Sequence, residues 1–426
     1  MSASKNKINI KPWMNNPEIK AILSAITKNG KEARFVGGCV RNHLLRKPIQ
    51  DLDIATQELP QKIISLLNDA GIKAIPTGLK HGTIMAVINH KNFEITTLRR
   101  DIQTDGRHAV VQFTEDWEQD AARRDFTINA ISVDLEGTIF DYFNGRQDLD
   151  TKIIRFVGHA PDRINEDYLR ILRYFRLIAT LNLNIGDQKE LDACIDQVEK
   201  LTDLSAERIR SELFKILSSK MENNIMSMMY EEGVLGVILP HVTFPDRVRE
   251  LARLEANKLQ IKTIIPDPLR RLAALIETDV SGIAEVTNAL KLSKIENKRL
   301  TNMKKRTSDI CWDMSHNDLQ RAIFRRGNTT VIDLALLNWA DMLISPSGNI
   351  SEAEGGWFHI ISTATKQIGQ GPSLPIKGQD VVDLGIPPGR RISRLLNQVE
   401  EWWLMNGCVA DRKACLNELK LLVDLT

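Results

Sequence analysis

A chain of 426 residues exceeds what one hydrophobic core ordinarily serves, so roughly two to four domains are expected. Hydrophobic residues at 42% and charged residues at 26% exclude global disorder. A net charge of +2 decides nothing about nucleic acid, since phosphate contact needs a local basic face and not a basic average. The five cysteines, at 39, 194, 311, 408 and 415, form no CxxC pair and no even disulfide set, which fits a reducing compartment. The opening MSASKNKINIKPWM has no apolar signal core, and no run of about 18 apolar residues follows anywhere. A cytoplasmic protein with no membrane partner is expected.

From Arg34 to about Val157, short β-branched runs alternate with turn signals. RFV (34–36) reads as a strand running into Gly37-Gly38, and DLDIAT (51–56) as a second strand. ELPQKIISLLNDAG carries a proline in its first turn and a glycine past its end, the punctuation of a helix. TIMAVI (83–88) and FEITTL (93–98) flank the polar turn 89–92 and predict a hairpin. After Asp162 the pattern becomes helical: EDYLRILRYFRLIATL, AERIRSELFKILSS and RLAALIE have apolar residues three and four apart. Breaks at 264–268, 345–348 and 369–375 read as helix connections.

Three constellations carry chemistry. Gly37 and Gly38 after a strand let backbone amides approach a phosphate, and Arg41 would add a guanidinium. Asp51 and Asp53, two apart on a strand, share a face roughly 7 Å apart and suit one or two Mg²⁺ ions. Glu94, alternating with Phe93 and Ile95, adds a third carboxylate if its strand lies beside them. Each element alone also fits a surface turn, a solvated strand end or a solvent-facing glutamate. The second constellation is Arg123-Arg124-Asp125, cations for phosphate with a carboxylate for ribose hydroxyls; a helix-end ion pair is the alternative. The third is Asp167, Arg170 and Arg173 at helical spacing. Asp accepts from the exocyclic amine of C or A while Arg donates to the neighbouring ring acceptor, a pattern that G and U reverse. A surface salt bridge would use the same spacing.

Order, spacing and flanks together resemble the class II tRNA nucleotidyltransferases, the CCA-adding enzymes of the polymerase β-like superfamily. The likeness runs almost unbroken from Phe35 to Arg176, through TDGRHAVVQFTEDWEQDAARRDFTINA, FDYFNGRQDL and RFVGHAPDRINEDYLRILRYFR, and returns in ERIRSELFKIL. It implies an α+β fold: an N-terminal extension (1–33), a nucleotidyltransferase head with a mixed sheet (34–157), then an all-α neck (158–222), body (223–345) and tail (346–426). It also implies template-independent CCA addition to tRNA from CTP and ATP, with two Mg²⁺ ions. Asp51 and Asp53 then hold metal, with Glu94 in support. Gly37, Gly38, Arg41, Arg124, Asp125, Asp167, Arg170, Arg173 and Arg176 bind the nucleotide. Residues 101–114, with Asp105 and Arg107, resemble the family's flexible loop, and 141–148 its hinge. The tail, with Arg390, Arg391 and Arg394 opening a helix, resembles the region that holds the tRNA elbow. The family usually reads GGxVRD, where this chain has Asn42. Poly(A) polymerase, partial CC- or A-adding enzymes and a non-catalytic RNA-binding module share the head. A eukaryotic source would place the protein in the mitochondrial matrix, and the sequence leaves a homodimer open.

Overall fold

β1 (Ala33–Val36) is buried along its whole length and runs between two antiparallel neighbours. The structure, a computed structural model, describes residues 7–8, 13–49, 51–104, 109–258, 261, 263–305, 309–345 and 350–424. After α1 (Pro17–Ile26) and β1 come α2 (Gly38–Leu44), β2 (Asp53–Thr56), α3 (Pro60–Asp69), β3 (Lys73–Gly78), β4 (Thr83–Ile88) and β5 (Lys91–Thr97). A ribbon of β6 (Arg99–Thr104) and β7 (Ala109–Phe113) leads to α4 (Trp117–Ala122), β8 (Ser132–Val133), β9 (Ile139–Phe140) and α5 (Gly145–Asp150). The main sheet has the order β3-β4-β5-β2-β1-β8-β9. Among the described residues its one parallel junction is β2 with β5.

Local chemistry explains the elements. α3 begins with Pro60 in its first turn, and Gly71 takes φ 72° beyond its end. The β4–β5 turn is two residues, Asn89 and His90 at φ 50° and 60°, and not the four that composition suggested. The left-handed pair matches the strand twist, so Lys91 and Asn92 join the ladder. Strand β2 likewise starts at Asp53, two residues later than DLDIAT suggests, which leaves Asp51 ahead of it. Segment 101–114, expected as a loop, is largely the β6–β7 ribbon, pinned by Arg100 Nε donating to Gln112 Oε1 at 2.9 Å. Asp105 and Arg107 lie outside the described residues.

Helices α6 (Ala160–Glu166), α7 (Leu169–Leu181), α8 (Gln188–Asp196) and α9 (Ala206–Leu217) follow. Phe126, Phe156 and Tyr174 stack in the core between them and the head, the rings of Phe156 and Tyr174 nearly parallel with centroids 5.6 Å apart. The chain divides into two compact units, Met1–Ile216 with Glu232–Val237, and Leu217–Glu231 with Ile238–Thr426. The second is helical, and among the described residues no helix is long and apolar enough to cross a membrane.

That second unit buries charge in pairs. Asp333, fully buried, accepts from Arg270 Nε at 2.8 Å and from Arg299 Nε and Nη2 at 2.8 and 2.9 Å. Glu255 accepts from Arg270 Nη1 at 2.5 Å and Arg271 Nε at 2.7 Å. Such pairs add little net stability, yet removing one partner strands the other in a low dielectric. Asp333→Ala is expected to destabilise the fold by about 3–5 kcal/mol, read as a loss in denaturant midpoint at constant slope.

In the first unit, Glu190 on α8 accepts the Phe156 N–H at 3.3 Å, and burial pushes its carboxyl from 4.5 up to about 7. Its folded value lies above the unfolded one, so the unfolded chain releases this proton first. Stability is therefore lost as pH climbs from 4.5 to about 7. Glu190→Gln keeps an acceptor for Phe156 and removes that loss. The variant should melt higher than the parent at about pH 8 and match it near pH 4.5; equal melting at both pH values would contradict this.

Candidate active site

The parallel junction sets Asp53 directly opposite Glu94, while Val36 opposes Asp53 from the other side. Phe93 and Ile95 are buried and Glu94 is exposed, the alternation expected of that strand. Past Val36 the chain turns at Gly37, with φ 73° and ψ −133°. A Cβ there would stand 3.4 Å from Arg124 Nη1 and 3.7 Å from Asp53 Oδ2. One at Gly38 would stand 3.6 Å from Arg41 Nη2. Glycine thus brings backbone amides to the place where carboxylates and guanidinium groups meet. Burial pushes the Asp53 carboxyl upward, Glu94 and Asp51 add to the push, and Arg124 opposes it. This clustering of like charge is what a cation relieves, and the donors are the oxygen ligands a hard cation takes. Among the described residues no three acidic or imidazole groups form a ready cage. The set fits Mg²⁺, which is commonly held by one or two carboxylates plus substrate phosphates.

Beside the carboxylates lies a cationic wall. Buried Asp120 takes Arg123 at 2.8 Å and Arg124 at 3.0 Å, so the helix-end ion pair exists, and through it Arg124 is aimed at Gly37 and Asp53. Asp125 is buried, and Arg173 reaches its Oδ2 with Nε and Nη2 at 2.7 and 2.5 Å. Burial works to raise the Asp125 carboxyl, but Arg173, Asn129 and the Phe126 N–H outweigh it and hold it low. Arg176 pairs with buried Glu212 at 2.5 Å. Arg41 donates to Asn42 Oδ1 through Nε and Nη2, at 3.1 and 2.9 Å. Burial and the neighbouring Arg176 pull the Arg41 guanidinium down to about 10. Asn42, where the family usually has Asp, therefore holds Arg41 without neutralising it.

The third constellation is assembled differently from the helical spacing. α6 ends at Asp167, whose backbone is extended (φ −159°, ψ 105°), and its Oδ1 accepts the Leu169 N–H at 3.1 Å to open α7. Aspartate suits that capping position, which is why one continuous helix does not form. Asp167 Oδ2 accepts from Arg208 at 2.7 Å, not from Arg170. Arg170 is fixed instead by Glu166 at 2.5 Å and by the carbonyls of Arg163 and Arg123 at 2.7 and 3.2 Å.

Sequence reasoning missed Asp120, Asn129, Arg208 and Glu212. Asp120 lies three and four residues before Arg123 and Arg124, a visible pairing signal. Asp167 is 41 residues from Arg208, and Arg176 is 36 from Glu212, separations beyond any local pattern. In the second unit Arg390, Arg391 and Arg394 are exposed in the first turns of the helix Arg390–Met405. Arg390 and Arg394 line an open trough of about 720 Å³ that extends to Trp402 and Met405. Trp403 is core, its Nε1 donating to Ala410 O at 3.0 Å.

Comparison with known proteins bears on this site. Residues 33–155 match the family model of the poly A polymerase head domain, and 187–244 that of a probable RNA- and SrmB-binding site of polymerase A. The mitochondrial CCA tRNA nucleotidyltransferase 1 of Mus musculus is 36% identical over 413 residues, covering 94% of this chain and 89% of the mouse protein. The Bacillus stearothermophilus CCA-adding enzyme, solved with CTP, superposes with a TM-score of 0.74 at 25% identity, covering 97% of this chain and 98% of that one. The Thermotoga maritima CCA-adding enzyme, solved with tRNA, shares the fold at a TM-score of 0.66 and 21% identity, over 100% and 99% of the two chains. Likeness extending over nearly the whole of both proteins is kinship and not one shared motif, and the chain belongs to the CCA tRNA nucleotidyltransferases.

Proposed function

We propose that this chain builds the CCA 3′ end of tRNA from CTP and ATP, releasing pyrophosphate and using no nucleic-acid template. The observation that carries the reading is the in-register pairing of Asp53 with Glu94 beneath the Gly37 turn, with Arg124 and Arg41 alongside. The tRNA 3′-oxygen bonds to the α-phosphorus as the bond to pyrophosphate breaks. Asp51 and Asp53 would hold two Mg²⁺ ions, with Glu94 in support; bound there, Mg²⁺ neutralises the triphosphate and acidifies the attacking hydroxyl. Backbone amides at Gly37 and Gly38, with Arg41 and Arg176, take the triphosphate charge. Asp125 accepts from the ribose hydroxyls in exchange for one of the donors that now occupy its oxygens, Arg173, Asn129 and the Phe126 N–H, and Arg124 beside it completes the ribose motif.

The base is read in the neck (158–222). Asp167 retains lone pairs beyond those used by Arg208 and Leu169, and accepts the exocyclic amine of C or A. Arg170 has five N–H donors, of which the described bonds use three, so it can donate to the adjacent ring acceptor. Body (223–345) and tail (346–426) carry the tRNA, with Arg390, Arg391 and Arg394 on its elbow. The setting is the cytoplasm of a bacterium, or the mitochondrial matrix of a eukaryote.

The test is incubation with tRNA lacking CCA and each nucleotide, followed on a sequencing gel. CTP alone should add two residues, and CTP with ATP three. A long adenosine tail, or a stop after CC with both nucleotides present, would replace the reading with a polymerase of poly(A) or of CC. Asp51→Ala and Asp53→Ala should each remove at least nine-tenths of CMP and AMP incorporation while tRNA affinity stays within a few-fold. Variants that keep more would take those residues out of the metal site.

The neck reading makes a sharper claim. Replacing Asp167 by Asn and Arg170 by Gln puts a donor where an acceptor stood and an acceptor where the cation stood. CTP use should fall relative to UTP by about ten- to a hundredfold, the size of a lost base-edge contact. A folded double variant that still binds tRNA and discriminates like the parent would sink the protein-template reading.

A further inference from the structure

We propose that Asn129 is a positioning residue that ties the ribose carboxylate to the triphosphate guanidinium; the inference rests on the nucleotidyltransferase reading above. Asn129 closes the short helical turn Thr127–Asn129 and is buried. Its Nδ2 donates to Asp125 Oδ1 at 2.9 Å, and its Oδ1 accepts from Arg41 Nη1 at 2.6 Å. Its main-chain oxygen accepts from Arg124 Nη1 at 3.5 Å. One residue thus touches three groups contributed by α2 and by the segment after α4.

The chemistry of the two neighbours fixes which way the amide points. A guanidinium only donates and an ionised carboxylate only accepts, so the oxygen must face Arg41 and the nitrogen Asp125. Aspartate here would repel Asp125, and a cation would repel Arg41. The amide also separates two opposite charges that could otherwise pair directly. Asp125 already has Arg173 on its other oxygen. Arg41 bonds, among the described residues, only to the amide oxygens of Asn42 and Asn129, so no carboxylate touches it, and Asp125 offsets only part of the burial and of the repulsion from Arg176 and Arg173. An incoming triphosphate answers that charge. Because Arg41 and Asp125 share one rigid amide, seating the triphosphate also sets the carboxylate that meets the 2′-hydroxyl. Triphosphate affinity and ribose selection should therefore change together when this side chain changes.

The experiment uses the full-length chain and tRNA lacking CCA, with steady-state CTP and dCTP kinetics for wild type, Asn129→Ala, Asn129→Asp, Asp125→Ala and the Asp125→Ala/Asn129→Ala double variant. Asn129→Asp keeps the shape if alanine does not fold, and melting curves and tRNA gel shifts identify the folded variants. Asn129→Ala should raise KM for CTP and lower the CTP-to-dCTP ratio of kcat/KM, each by about tenfold, as expected when a hydrogen bond to a charged group is lost. A merely structural role would lower both nucleotides alike and leave the ratio untouched. In the Asp125→Ala background, removing Asn129 should cost no further selectivity. Folded Asn129 variants with the parent ratio and KM, or selectivity losses that add in the double variant, would overturn the proposal. A wild-type chain that adds no CMP would overturn the functional reading beneath it, whereas an active parent with indifferent variants overturns the Asn129 role alone.

Discussion

A buried carboxylate is tolerable only when its charge is answered, and Asp125 is answered by Arg173 at 2.7 Å. Each lies beside an aromatic of the stacked core, Asp125 next to Phe126 and Arg173 next to Tyr174. The apolar stack therefore sets where the ion pair can form, and the pair sets the distance between the sheet domain and α7. Arg41, Arg176 and Asn129 take their places around it. An arrangement of this kind is rigid because moving any member leaves a charge or a polar group without its partner.

Opposite that pair, the middle of the sheet is arranged for strain of another kind. Burial raises the proton affinity of Asp53; Glu94 and Asp51 add to it, and Arg124 restrains the effect only in part. On the other side, Arg41 is surrounded by Arg173 and Arg176 with neutral amides as its nearest partners. Carboxylates on the central strands and a wall of guanidinium groups meet at the Gly37 turn; Asp120, Asp125 and Glu212 answer most of the wall, and among the described bonds Arg41 has amide oxygens alone. Stability is given up at this place, as expected where a cation and a polyanion are to be bound together. The buried pairs of the second unit are the contrast: Asp333 and Glu255 are each answered by two guanidinium groups, from Arg270, Arg271 and Arg299.

Much of this was legible in the order of residues. A glycine pair after a strand, carboxylates on the next strand and a third on an alternating strand are local patterns, and each fell within a residue or two of its expected place. What local patterns misread is instructive. Asp167 looks like a helical residue three before Arg170, but an aspartate at the joint of two helices is better used as a cap, and the chain breaks there. Segment 101–114 is expected as a loop from resemblance and not from local pattern, and its flanks pair as β6 and β7.

By itself the sequence determined the strand–turn–helix at Gly37, the alternation that turns Glu94 outward, and the change of period after Asp162, because all of these are set by neighbours within a turn or two. Only the tertiary structure decided that β2 lies parallel to β5 and so sets Asp53 against Glu94. It alone decided that Asp125 meets Arg173, that Asp167 meets Arg208, and that Asn129 stands between Arg41 and Asp125. These pairings join residues 4 to 88 positions apart, and all but the shortest depend on which surfaces the aromatic core and the sheet bring together. No spacing rule reaches that far, since the energy that selects the partner is the desolvation of charge in the finished fold.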